Sequence, residues 1–343
     1  MDYAAALESI CVQTVGPQAQ RTDSEARFPR EAMMALADAG LLGLVSATEL
    51  GGQGLGLRAA AQVVQRLATE CSSTAMVVCM HYCATAVIEA QGQEVTRRAI
   101  AQGKHLSTLA LSEAGSRSHF WAPLSSASTR DAEHISLDAS KSFVTSAFEA
   151  DSYVWSSKPL QAEGASTLWL VDAKLAGLSQ PGLFDGLGMR GNASTPVTAK
   201  DVRICCSDQL GADGKGFDTM MGVVLPWFAV LSAACSVGLC EAALAKAAAH
   251  VGKTQHQHLA TSLADLPTVR AYLARARIQT DMAHGLLQDT LSAIENGRAD
   301  TMLRVLEVKA AAGDTALTVT DTAMRVCGGA AFRKDFGVER MFR

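Results

Sequence analysis

The spacing of apolar residues changes twice along the chain. Near the start they recur at helical intervals: Ala32, Met33, Leu36 and Ala37 form one stripe, opened by Phe28-Pro29 and closed near Gly40. Proline in a first turn and glycine after a last one are helix start and stop signals. Leu41, Leu42 and Leu44 are expected to follow in an extended piece. Helical patterns return at 57–70, 73–90 and 93–102, the last closed by Gly103. From 109 to about 210 the period falls from roughly four to two. Short β-like runs such as Thr167-Leu-Trp-Leu-Val171 and Val202-Arg-Ile-Cys205 are separated there by Gly, Pro, Ser and Asp. After Gly216 the helical period resumes in long runs at 226–252, 264–296 and 300–325, which predict an antiparallel bundle. The expected fold is α+β: an N-terminal helical domain (1–108), a central small β domain (109–212) and a C-terminal antiparallel helical bundle (213–343).

With 343 residues the chain exceeds what a single core usually supports. It is 48% hydrophobic and 19% charged with a net charge of −4, a composition without the basic excess that would suggest nucleic acid. Asp2 and Glu8 interrupt any secretory leader. Nine cysteines are scattered without a framework, which predicts a reduced, cytoplasmic protein without disulfides. Two stretches, Cys71 to Ile88 and Thr219 to Cys240, carry no formal charge. The second is long enough to span a bilayer. Pro226, Ser232 and Ser236 interrupt it, and Asp218 and Glu241 bound it closely. Core helices of large bundles look the same, so buried helices and no membrane span are expected.

Two chemical candidates are discounted at once. Glu49-Leu-Gly-Gly-Gln-Gly-Leu-Gly56 is glycine-rich but lacks the lysine and the strand–loop–helix frame of a phosphate loop. It is expected to be a tight turn in which glycine supplies positive φ. His256 and His258 suggest a metal pair, yet residues two apart on a helix do not face each other and nothing completes a site.

The informative stretch is Leu109 to Val154. It contains Leu109-Ala-Leu-Ser-Glu-Ala-Gly-Ser-Arg-Ser118 and Lys141-Ser-Phe-Val-Thr-Ser146. Taken alone, Phe143 and Thr145 could be ordinary strand residues. In order and spacing, however, the two pieces resemble signatures of the acyl-CoA dehydrogenase family, Thr-Glu-Pro-x-x-Gly-Ser-Asp and Trp-Ile-Thr. Here they stand as Ser112 to His119 and Phe143-Val144-Thr145. The resemblance covers the chain from about residue 25 to Arg343.

That resemblance implies FAD, its ring lying against the β domain. Leu109, Leu111 and Ser112 would meet the pyrimidine end, Phe143 and Val144 would cover a ring face, and Thr145 would bond near N5. Ser118 would lie near the cofactor and the acyl carrier. Arg117 and His119 depart from the family pattern, and a positive phosphate contact from Arg117 is one consequence to test. Arg190 in Gly188-Met-Arg-Gly-Asn-Ala-Ser194 is either a loop bridge or an exposed arginine. In the family the FAD pyrophosphate also touches a neighbouring subunit. The corresponding positions here are His256 and Arg325-Val-Cys-Gly328-Gly329, with Arg325 supplying a charge that His256 lacks. Trp227 and Phe228, with Ser118, would meet the substrate.

No catalytic base can be named. The usual family glutamate lies beyond Arg343, and the alternative position on the first long C-terminal helix is Phe228. Glu113 and Glu149, the carboxylates nearest the signatures, are expected to be structural. Truncation is the favoured explanation. The resemblance implies α,β-dehydrogenation of an acyl-CoA or other acyl thioester, with electrons passed to an electron-transfer flavoprotein. It also implies a homodimer or homotetramer. A flavin-dependent monooxygenase or oxidase on the same fold, or a flavin-binding pseudoenzyme, are the alternatives.

Overall fold

The computed structural model describes residues 2–116 and 119–343. The chain begins as one continuous helical run, Tyr3–Ile10 (α1) and Gly16–Ser24 (α2) joined by a π turn at Cys11–Val15. Leu7, Cys11, Val15 and Ala19 are all buried at a strict four-residue interval. On an α-helix that interval drifts by about 40° per step, and the wider π turn corrects the drift. Next come Arg30–Asp38 (α3), Leu57–Glu70 (α4), Ser72–Gln91 (α5) and Glu94–Ala101 (α6). Gly40 ends α3 at φ +70°, and Gly51 and Gly54 turn the 49–56 loop at +99° and +64°.

One expectation here is corrected. Leu41 to Leu44 do not form an extended piece but a string of turns, with Leu44 N–H donating to Leu41 O. Side chains of α5 hold it there. The Tyr82 hydroxyl donates to Leu41 O at 2.6 Å, and His81 Nε2 lies 3.0 Å from Leu42 O. Backbone groups left without a strand partner find side-chain partners instead.

The β unit contains two four-stranded sheets. The first is ordered β1 (Ser107–Ala110), β4 (Ser152–Ser157), β5 (Thr167–Asp172), β8 (Gln209–Leu210), with only the β1–β4 pair parallel. The second is ordered β2 (Ser126–Thr129), β3 (His134–Val144), β7 (Thr195–Cys205), β6 (Leu178–Ser179) and is antiparallel throughout. The inner faces meet in a core that includes Tyr153, Trp155 and Trp169 from one sheet and Leu137, Val197 and Val202 from the other.

Gly216–Thr219 (α7) and a second π turn, Met220–Val224, lead into the long helix Leu225–Lys253 (α8). A short hairpin of β9 (Gln255–His256) and β10 (Thr261–Ser262) precedes Pro267–Glu295 (α9), Thr301–Cys327 (α10) and Val338–Phe342 (α11). Among the described residues, the two helices long and apolar enough to cross a membrane are α5 and the run containing α8. Both are core helices here: α5 packs on α4, α8 and β1, while α8 packs on α4, α9 and α10. The Arg343 guanidinium pairs with Asp23 of α2 and Glu339 of α11, joining the first and last helical regions.

Candidate active-site cleft

Strand alternation decides what β3 offers at its end. Val144 points into the sheet core and is fully buried, whereas the Phe143 ring is 68% exposed and Thr145 is half-buried. Ser146 follows at φ +59°, and its N–H donates to Asn192 O while that of Ala147 donates to Ala193 O. The loop before β7 therefore fixes where β3 stops. The Thr145 hydroxyl lies 3.3 Å from that of Ser194 on this loop. Arg190 is a bridge: it donates to Asp23 O, Asp185 and Gly186 O.

Phe143 faces a cavity of about 350 Å³ between the β unit and the helices. One wall is the end of β1, with Leu109, Leu111 and Ser112. The opposite wall is Val224, Leu225 and Phe228, where the π turn runs into α8. Met80 of α5, Phe120 and Lys309 of α10 complete the lining. The cleft is apolar apart from Ser112 and Lys309, and no carboxylate lines it among the described residues.

A buried ion pair holds the two signature segments in register. Glu113 and Lys141 form an antiparallel bridge, and the Lys141 side chain is 0% exposed. Its ammonium donates to Glu113 Oε1 at 2.6 Å and to Ser156 O at 2.7 Å, and it sits 5.2 Å from the Trp155 ring centroid. Burial lowers the Lys141 pKa to about 8, against the pull of the Glu113 carboxylate. Burial works to raise Glu113. The Lys141 charge and hydrogen bonds from Lys141, Ser125 and Leu124 N–H outweigh it and hold the carboxyl below its usual range. Glu149 pairs with Arg30 instead, and burial raises its carboxyl despite that partner. Neither carboxylate reaches the cleft.

Other sequence-predicted site residues lie elsewhere. Trp227 packs against the helical core, about 100° around α8 from Phe228. Ser118 falls outside the described residues. His256 and His258 are on the β9–β10 hairpin, not on a helix, because α8 ends at Lys253 and the chain reverses. Their rings are 6.2 Å apart, and among the described residues no group of three metal-binding side chains exists. Arg325 is exposed and paired with Asp321 at 2.7 Å. Gly328 and Gly329 open onto the surface, Gly328 at φ +55° and ψ −139°. The turn that leads into α9 and the end of α10 share one apolar cluster, containing Leu263, Ala264, Val326 and Cys327. The hairpin and the glycine pair thus occupy one end of the bundle. Within a single chain they are not part of the cleft. The sequence did not flag Met80, Phe120 or Lys309, whose convergence depends on how the helices cross.

A two-sheet β unit whose strand ends face a helical bundle across an apolar cleft is the architecture found in a class of flavoprotein oxidoreductases acting on CH–CH donors. Family models for the N-terminal, middle and C-terminal domains of acyl-CoA dehydrogenase match residues 2–103, 108–202 and 214–343. The chain belongs to the acyl-CoA dehydrogenase family, whose members depend on FAD. A cyclohex-1-ene-1-carbonyl-CoA dehydrogenase of Syntrophus aciditrophicus is 25% identical, over 98% of this chain and 82% of that protein. The structure of butyryl-CoA dehydrogenase from Megasphaera elsdenii superposes with a TM-score of 0.92 at 21% identity, covering 99% of this chain and 91% of that one. An FAD complex of PigA superposes with a TM-score of 0.90 at 18% identity, covering 99% and 90%.

Proposed function

We propose that this chain introduces a double bond between the α and β carbons of an acyl thioester. The observation that carries the reading is the cleft itself: an exposed aromatic ring and a strand end on one side, an apolar helical wall on the other. The residues fit a flavin ring. Phe143 offers a free aromatic face, while Ser112 and Thr145 offer hydroxyls and the Leu111–Ser112 backbone offers polar groups at the ring edge. Bound FAD would supply the acceptor for the β-hydride, with the α-proton passing to a base from outside the described lining residues. Leu225 and Phe228 exclude water and press the acyl chain towards Phe143. Lys141 acts from outside the cleft, through Glu113, Ser156 O and Leu111 O, by fixing the strand end on which this surface depends.

Further features support the wider reading. Ile278 and Met282 on α9, and Met302, Leu303 and Leu306 on α10, are large apolar side chains exposed on the bundle. A second copy covering them would give a homodimer or homotetramer and bring the hairpin and Gly328-Gly329 to a neighbouring cofactor. Electrons would leave to an electron-transfer flavoprotein. All nine thiols are free, in keeping with the reducing cytoplasm.

The test is an anaerobic visible spectrum with a panel of acyl-CoA thioesters. Bleaching of the oxidised flavin band by one of them is expected. A flavin that stays oxidised with all of them removes the dehydrogenase reading. The second reading rests on the lack of a carboxylate among the described lining residues: a monooxygenase or oxidase using reduced flavin and O₂. Oxygen uptake on chemical reduction of the flavin, coupled to substrate conversion, would identify it.

A further inference from the structure

The flavin-facing cleft does not end at Phe228. A second cavity, of about 200 Å³, shares both Phe228 and Lys309 with it and continues between α5, α8 and α10. Three helices contribute residues one turn apart. Met76 and Met80 come from α5, Phe228, Ser232 and Ser236 from α8, and Lys309 and Gly313 from α10. Residues four apart lie on one helical face, about 6 Å along the axis from each other. The groove is therefore graded. Its first part is apolar around Met80 and Leu225, and one and two turns beyond Phe228 it presents the hydroxyls of Ser232 and Ser236.

Lys309 stands at the junction. Its ammonium lies 5.8 Å from the Phe228 ring centroid, which steers it over the passage between the two cavities. Neither cavity is lined by a carboxylate, and among the described residues no carboxylate lies within ion-pair distance of Lys309. A methionine–phenylalanine passage would serve an alkyl chain alone. One ammonium beside two hydroxyls, without a countercharge, is a donor set for an anion. At Gly313 an added Cβ would meet nothing within 4 Å, so the wall stays open where a chain end would lie.

We infer that the second cavity is a subsite for the distal carboxylate of the acyl chain, so that the preferred substrates are thioesters of dicarboxylic acids. This rests on the dehydrogenase reading above. With the reacting carbons between Phe143 and Phe228, a chain reaching about one helical turn (~5.4 Å) further places its terminal carboxylate at Ser232 and Lys309. Adipyl-CoA has that reach, and hexanoyl-CoA is its matched uncharged counterpart.

The experiment titrates the FAD-loaded protein anaerobically with each thioester, reading the perturbation of the flavin spectrum and, independently, the heat of binding. Adipyl-CoA is expected to bind at least about tenfold more tightly than hexanoyl-CoA, the scale of a charge-assisted hydrogen bond. In Lys309→Met that ratio should fall to about one, and in Lys309→Arg it should be largely kept. Lys309 is exposed, so these variants should fold, which circular dichroism would check. Equal affinities in the wild type, or a ratio that survives Lys309→Met, would overturn the subsite while leaving the dehydrogenase reading in place. If neither thioester binds, the thioester reading falls and the subsite with it.

Discussion

Replacing Lys141 by methionine isolates what the buried ion pair does. The ammonium is fully enclosed, and besides Glu113 and Ser156 O it reaches Ser156 Oγ at 3.0 Å, Ser125 Oγ at 3.4 Å and Leu111 O at 3.5 Å. Methionine fills much of the same volume, so the cost is electrostatic rather than a cavity. Removing one partner of a buried pair costs about 3–5 kcal/mol because it strands the other charge. Glu113 would keep three donors, Leu124 N–H at 2.7 Å, Ser125 N–H at 3.1 Å and Ser125 Oγ at 2.6 Å. The low end, about 3 kcal/mol near pH 8, is therefore expected. The pH dependence has a definite sign. An unpaired buried Glu113 has its folded pKa raised above the unfolded value. Its favourable contribution is then present below the unfolded pKa and is lost as pH rises through the folded one. The deficit of the variant should accordingly be smaller at pH 5 than at pH 8. The double variant Glu113→Gln, Lys141→Met removes the stranded charge and should recover most of the loss. Urea unfolding followed by the fluorescence of Trp155 and Trp169, both buried in this unit, reads the effect where it arises. A single variant that loses less than about 1 kcal/mol, or a double variant no more stable than the single one, would refute this account of the pair.

Four further outcomes are expected. His81 is fully buried, accepts from Ser107 N–H at 3.2 Å, and is pulled down by burial to about 4. A base whose folded pKa is depressed costs stability as pH falls from its unfolded value near 6.5 towards 4, by on the order of 3 kcal/mol. His81→Gln should flatten acid unfolding over that window, and an unchanged slope would count against the assignment. In the native protein only Cys205 and Cys206 should react quickly with a thiol reagent, because the other seven are buried; burial also pushes Cys11 up to about 12. Fast modification of a third thiol would contradict this packing. Phe143→Ala should weaken FAD retention with little change in the stability of the apoprotein, since the ring is mostly exposed. Equal loss of both would make Phe143 a core residue rather than a cofactor platform. Gly328→Ala should cost about 1–3 kcal/mol through its backbone geometry, whereas Gly329→Ala, with open space around an added Cβ, should fold like the wild type. Thermal unfolding of the two variants side by side distinguishes them.

Much of this protein is written locally. The helical and strand periods mark the three regions, because burying one face of a regular element imposes that period whatever lies opposite. The glycines at 40, 51 and 54 mark turns, because positive φ suits only glycine at little cost. The order Ser112 to His119, then Phe143 to Thr145, marks where a flavin is expected. Tertiary structure decided the rest. Leu41 to Leu44 look extended in sequence, but His81 and Tyr82, some forty residues on, bend them into turns. Val144 and Phe143 are neighbours in the chain, and the pleat sends one into the core and the other into the cleft. Glu113 and Lys141 become partners only when the strand register sets them opposite each other. Lys309 reads as one more polar residue on a long helix. The crossing of α10 over α8 brings it to Phe228, and a crossing angle arises from side chains on both helices, which no local pattern encodes.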